Sequence, residues 1–131
     1  MTLLDECIEV LGADTEIFTD SEKEKILDTF KSFFSFTEWG RIDWDKVSKK
    51  EDVNTVNDIT AYLEKCYENF NTVVYVIWDE GTLPIIKTDL KKVLECIDDV
   101  TAVSFDTWIF SPSSGYVIEI YHEGEVLVGI R

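Results

Sequence analysis

Apolar residues recur at helical spacing through the first half of the chain and in strand-like runs through the second. Leu3, Leu4, Cys7, Ile8 and Leu11 fall on one side of a short helix that Gly12 stops. Ser21-Glu22-Lys23-Glu24 has the form of a capping box, the Ser hydroxyl accepting from a free amide while Glu24 reaches back. It opens a second helix whose inward stripe is Ile26, Leu27, Phe30, Phe33 and Phe34. The stretch from Phe36 to Val47 is irregular, and the polar run from Ser48 to Asn54 reads as a loop. Val56, Ile59, Leu63, Cys66, Tyr67 and Phe70 define a third helix.

Val73 to Trp78 is apolar without a break, as expected of a central strand covered on both faces. Asp79 to Thr82 turns the chain, and Leu83 to Ile86 returns as a short strand. Pro84 confines that strand to an edge, because proline cannot donate to a ladder. Thr88 is placed to cap a helix over Asp89 to Ile97. Three strands then follow, Ala102 to Phe110, Tyr116 to Tyr121 and Val126 to Ile130, joined by Ser111–Gly115 and by a tight Glu123-Gly124 turn into an antiparallel meander. The expected fold is α+β, with N-terminal helices packed on a mostly antiparallel mixed sheet. The passage from Val73 to Phe110 supplies one βαβ-type crossover helix, right-handed if its strands are parallel. At 131 residues the chain reads as one domain over 1–131, large enough to build a core without metal or disulfide staples.

Charge narrows the function. The chain has 27 acidic and 12 basic side chains, a net charge of −15. The excess is spread through the chain: residues 1–71 carry 17 acids and 8 bases, residues 72–131 carry 10 and 4. Such a surface repels polyanions, which argues against direct nucleic-acid binding and against an anionic membrane surface. Met1-Thr2-Leu3-Leu4-Asp5-Glu6 lacks the basic start of a secretory signal, and the longest apolar run is far short of the ~20 residues that cross a bilayer. A cytoplasmic location is expected. Cys7, Cys66 and Cys96 form no CxxC pattern and read as reduced, buried small hydrophobes.

Candidate reaction chemistry is sparse. The only histidine, His122, lies at a hairpin turn with no nucleophile elbow in the sequence to serve. Asp79 followed by Asp89-Leu90-Lys91 superficially matches a nuclease metal site, but Asp89 and Lys91 open a helix where such enzymes use a strand. Acids in a first helical turn are explained by the helix dipole. Asp43-Trp44-Asp45 and Asp98-Asp99 lack the Gly turn and distal Glu of a calcium loop. No glycine-rich phosphate cradle occurs. The expectation is a protein that is not an enzyme and has no cofactor and no metal.

The segment Phe33-Phe34-Ser35-Phe36-Thr37-Glu38-Trp39-Gly40-Arg41-Ile42-Asp43-Trp44 packs five large rings into twelve residues. Either Trp39 and Trp44 staple an irregular segment onto the core, or part of it forms an aromatic anchor rimmed by Glu38, Asp43 and Asp45; Trp and Tyr dominate interface energetics. A diffuse negative field speeds encounter with a cationic partner, and basic proteins commonly owe their charge to nucleic-acid binding. An acidic plug for a nuclease active site fits both features.

Three stretches carry a family resemblance: Leu3-Leu4-Asp5-Glu6-Cys7-Ile8, Trp39-Gly40-Arg41-Ile42-Asp43-Trp44, and Thr101-Ala102-Val103-Ser104-Phe105-Asp106-Thr107-Trp108-Ile109-Phe110 with its following hairpin. In this order of parts, over most of its length, the chain resembles the small acidic immunity proteins of bacterial contact-dependent growth inhibition and related polymorphic toxin systems. The resemblance implies a non-catalytic protein that binds the C-terminal domain of a cognate toxin, expected to be a basic nuclease, and protects the producing cell. The partner-binding residues expected from the residue reading are Glu38, Asp43, Trp44, Asp45, Asp79 and Glu80. The competing readings are an acidic adaptor or regulatory module, an immunity protein of the SUKH-type superfamily, and a small metal-dependent hydrolase.

Overall fold

In a computed structural model describing residues 1–131, seven strands form one sheet: β1 (Glu16–Phe18), β2 (Lys49–Val53), β3 (Val73–Trp78), β4 (Ile85–Asp89), β5 (Thr107–Ser111), β6 (Tyr116–Ile120) and β7 (Val126–Ile130). Their order is β1-β4-β3-β5-β6-β7-β2, and every neighbouring pair is antiparallel. Five helices complete the chain: α1 (Leu3–Leu11), α2 (Asp20–Phe33), α3 (Val56–Cys66), α4 (Leu90–Glu95) and α5 (Ile97–Thr101).

The sheet is covered on both faces, which is why its central strands read as unbroken apolar runs. Strand side chains alternate between faces. Val74, Val76, Ile109, Ile118 and Val128 meet Cys7 and Leu11 of α1, Leu63 of α3, Val93 of α4 and Val100 of α5. On the opposite face Ile77, Ile85, Trp108, Phe110 and Val117 meet Phe30 of α2 and Phe34, Ile42 and Val47 beyond it. Phe30 contacts Phe110 at 4.8 Å between ring centroids with tilted rings, and Phe36 at 5.3 Å edge-to-face, the second being an arrangement that ring quadrupoles favour.

The α+β architecture, with N-terminal helices on a large antiparallel sheet, is the expected one. Several boundaries differ, each for a local reason. The crossover leaves from β4: β4 and β5 are both antiparallel to β3, so α4 and α5 carry the chain over β3 between two parallel strands. β4 starts after Pro84 and is not an edge, because β1 pairs with its outer side. The polar run after Ser48 is β2, an edge strand whose Lys49, Lys50, Glu51 and Asp52 are exposed and only Val53 is buried, so no alternation marks it. α2 begins at Asp20, one residue ahead of Ser21, after a Thr19 that makes no capping bond. True capping boxes occur at Thr2 with Asp5 and Thr55 with Asp58, with the shorter Asp in the position usually held by Glu. Asp89, not Thr88, caps α4, and the chain kinks at Cys96 between α4 and α5. Residues 102–106 form turns before β5, and α3 ends at Cys66, before Tyr67 and Phe70.

All three cysteines are free; Cys7 is buried, whereas Cys66 and Cys96 are half-buried. Burial pushes the Cys7 thiol up to about 11. Burial likewise raises Tyr62 to about 12 and lifts Tyr67 and Tyr116. The hydroxyls of Tyr67 and Tyr116 donate to the carbonyls of Ser114 and Asn71, both at 2.7 Å, bonds that a phenolate cannot make. Groups with raised folded pKa values stabilise the fold fully below their unfolded values and lose that contribution as pH climbs through the folded ones. Stability is therefore expected to fall as pH rises from the ordinary Cys and Tyr values toward 12. Ultraviolet titration should show Tyr62, Tyr67 and Tyr116 ionising at higher pH in the folded protein than in the denatured chain; identical titration of these three in both states would contradict the packing.

Candidate functional site

After Phe34 the chain makes a small hairpin. Phe36 and Ile42 are bridged, Thr37 N–H donates to Arg41 O at 2.7 Å, and Asp43 N–H donates to Ser35 O at 2.7 Å. Gly40, at φ +82°, takes the left-handed conformation that the tip requires. The tip therefore projects Glu38 and Trp39, and Trp39 is 83% exposed.

The base of this hairpin is fastened by one carboxylate. Glu119 of β6 points toward α2 and is 1% exposed. Its Oε1 accepts from Arg41 Nε at 2.9 Å and Trp44 Nε1 at 3.0 Å, with a second Arg41 nitrogen at 2.7 Å. Its Oε2 accepts from Ile42 N–H and Trp108 Nε1, both at 3.0 Å. Partial burial opposes the Arg41 charge, but hydrogen bonds and charges from Glu119 and Glu125 outweigh it and raise the guanidinium pKa. The Trp44 ring packs against β7 at Gly129, where a Cβ would run into it. Trp44 is thus tied to the sheet while Trp39 stands free.

The other expected residues occupy two places. Asp43 is half-buried with Lys46 Nζ 3.8 Å away, and Asp45 is exposed in the short 3-10 turn Trp44–Lys46. Asp79 and Glu80 follow β3 and border a cavity of about 700 Å³ with Phe105, Ile120, Tyr121 and His122. Asp79 Oδ1 accepts from Ser104 Oγ at 2.6 Å and Asp106 N–H at 3.0 Å, so it fixes the loop that carries Phe105. Glu80 accepts from the Thr82 hydroxyl and amide within its own turn. Asp106 Oδ1 receives both the backbone N–H of His122 and its Nδ1, each at 2.9 Å. Arg41 joins the two places: its guanidinium lies 4.0 Å over the Tyr121 ring and pairs with Glu125 at 2.9 Å.

Two features differ from what local sequence patterns predict. Phe105, within the run that predicts a strand, lies in a turn and is 79% exposed; its polar neighbours Ser104 and Asp106 are the local sign of that turn. Glu119 has one local signal, being the only charge within Tyr116–Ile120.

No three His, Cys, Asp or Glu side chains gather as a metal site. Asp89 accepts from Lys91 N–H and Thr72 Oγ1 as a helix cap. No helix is long and apolar enough to cross a membrane.

The molecule is an acidic α+β protein with two large rings, Trp39 and Phe105, exposed at its surface. The family described as CdiI immunity protein EcoliA0-like matches residues 1–129. The chain belongs to this family of contact-dependent growth inhibition immunity proteins, which are non-catalytic and pair with a cognate toxin domain. No match is found among curated proteins.

Breaking a buried ion pair by removing one partner costs about 3–5 kcal/mol, and Glu119→Ala is expected to lower unfolding stability by that order. Glu119→Gln should still cost about 1–3 kcal/mol, because either amide orientation sets its NH2 against N–H donors. Gly129→Ala should cost about 1–3 kcal/mol through overpacking against Trp44. Denaturant midpoints measure all three, and wild-type values for Glu119→Ala would dissolve the clamp.

Proposed function

We propose that this immunity protein neutralises the C-terminal domain of its cognate toxin, a basic nuclease, by covering its active site in the cytoplasm of the producing cell. The supporting observation is how little of the negative charge is internally cancelled. Ion pairs engage Glu16, Asp43, Asp106, Glu119 and Glu125, leaving 27 − 5 = 22 acidic side chains without a cationic partner within 4.0 Å. Some lysines hold backbone carbonyls and do not pair with acids: Lys23 binds Gly81 O and Leu83 O at 2.7 and 2.6 Å, and Lys50 binds Trp44 O. The field is free to act outward, and a site built to hold a polyanion is its natural counterpart.

In this reading Glu38, Asp43, Asp45, Asp79 and Glu80 meet Lys and Arg side chains of the toxin's substrate groove. Trp44 contributes by fixing the segment that presents Asp43 and Asp45, and Trp39 supplies the exposed ring. Co-expression with the toxin domain should yield a co-purifying complex whose nuclease activity is suppressed and whose association slows about tenfold or more as salt rises. A complex that still cuts nucleic acid would overturn occlusion, and an on-rate indifferent to salt would remove electrostatic steering.

A further inference from the structure

Within the occlusion reading, on which this inference rests, we propose that the cavity between the β3–β4 turn and the β6–β7 turn is where a basic segment of the toxin docks. An Arg or Lys of the toxin would enter beside Phe105 and be met by Asp79 and Glu80. The cavity volume of about 700 Å³ lies within the range of ~300–1,000 Å³ typical of built ligand sites. Its lining mixes apolar and aromatic surface, from Phe105, Ile120 and Tyr121, with the two carboxylates, and it contains no Lys or Arg. The absence extends well beyond the lining: from Val93 to Ile130 the chain has no basic residue apart from His122, and it carries seven acids.

Phe105 is the second, independent sign. Its ring is 79% exposed, yet the turn that carries it is held by the Asp79 bonds to Ser104 and Asp106 and by the Asp106 bonds to His122. The ring also lies edge-on to His122, 5.8 Å between centroids. A large ring fixed in an open position by its neighbours contributes little to the core and is already organised for a contact. Its neighbour Tyr121 receives the Arg41 guanidinium on one face, so this corner already binds one guanidinium by the chemistry proposed for the second. Desolvated between an aromatic face and carboxylates, an incoming cation gains more than it would at an exposed rim.

The test measures binding of the cognate toxin domain to the whole protein and to three variants that leave the core untouched: Phe105→Ala, Glu80→Lys and Glu68→Lys. Glu68 is exposed and follows α3 beside Tyr67, whose hydroxyl reaches Ser114 at the other end of β6. Glu68→Lys changes net charge as much as Glu80→Lys does, so it isolates the global field from local docking. Phe105→Ala and Glu80→Lys should each weaken binding about 30-fold or more, the scale of an interface hot spot, while Glu68→Lys stays within a few-fold of wild type. Unchanged affinity in Phe105→Ala, or equal losses in the two lysine variants, overturns the cavity as docking site and leaves occlusion standing. A wild-type complex that remains an active nuclease overturns occlusion, while the Phe105→Ala comparison still decides the cavity. Failure of the wild-type protein to bind overturns both.

Discussion

A single buried carboxylate organises the face of the sheet that carries the irregular segment. Burying an ionised Glu is costly unless its lone pairs are filled and its charge is met. Glu119 meets both conditions through Arg41, Trp44, Trp108 and the Ile42 amide. Three of those donors belong to one short stretch of chain, so the same bonds that compensate the carboxylate also decide where residues 41–44 lie. Hydrophobic contact alone would not do this, since rings such as Phe36 and Trp44 can pack in more than one way. A carboxylate with five donor contacts accepts only one arrangement. The exposed tip with Glu38 and Trp39 is therefore the end of a positioned hairpin.

The same logic separates groups that hold the fold from groups that face outward. Asp106 is committed to His122, and Asp79 braces Ser104 and Asp106 through Oδ1 alone while still bordering the cavity; these acids shape a loop. Glu38, Asp45 and Glu80 have no such long-range commitment and remain available. Arg41 bridges the two regions by lying over Tyr121 while it pairs with Glu119 and Glu125. The hairpin and the cavity beside Tyr121 are in this way parts of one connected surface. Family membership and surface physics then point in the same direction, toward a protein whose work is done by contact.

What was legible in the sequence follows from how many positions repeat a signal. β3 was readable because its six consecutive apolar residues are all β-branched or aromatic, as a covered strand favours, and α1 because five residues agree on one face. β2 was not, because an edge strand with one buried residue has nothing to alternate. β1, three residues long, is below the length at which periodicity exists. Ser21 satisfied a capping pattern that the chain does not use, since Asp20 already begins the helix with a positive φ of 53°. At the candidate site the segment around Trp39 and Trp44 was visible by its density of rings. Which ring is held inward depended on Gly129 and Glu119, both more than seventy residues away, and no local pattern encodes that.

Trp39 and Phe105 lie outside the packing that keeps the molecule folded, one at a hairpin tip and the other on a braced turn. Substitution at either loses few core contacts, so both positions can change at little cost to folding. The architecture beneath is thus insulated from what these two outward rings become.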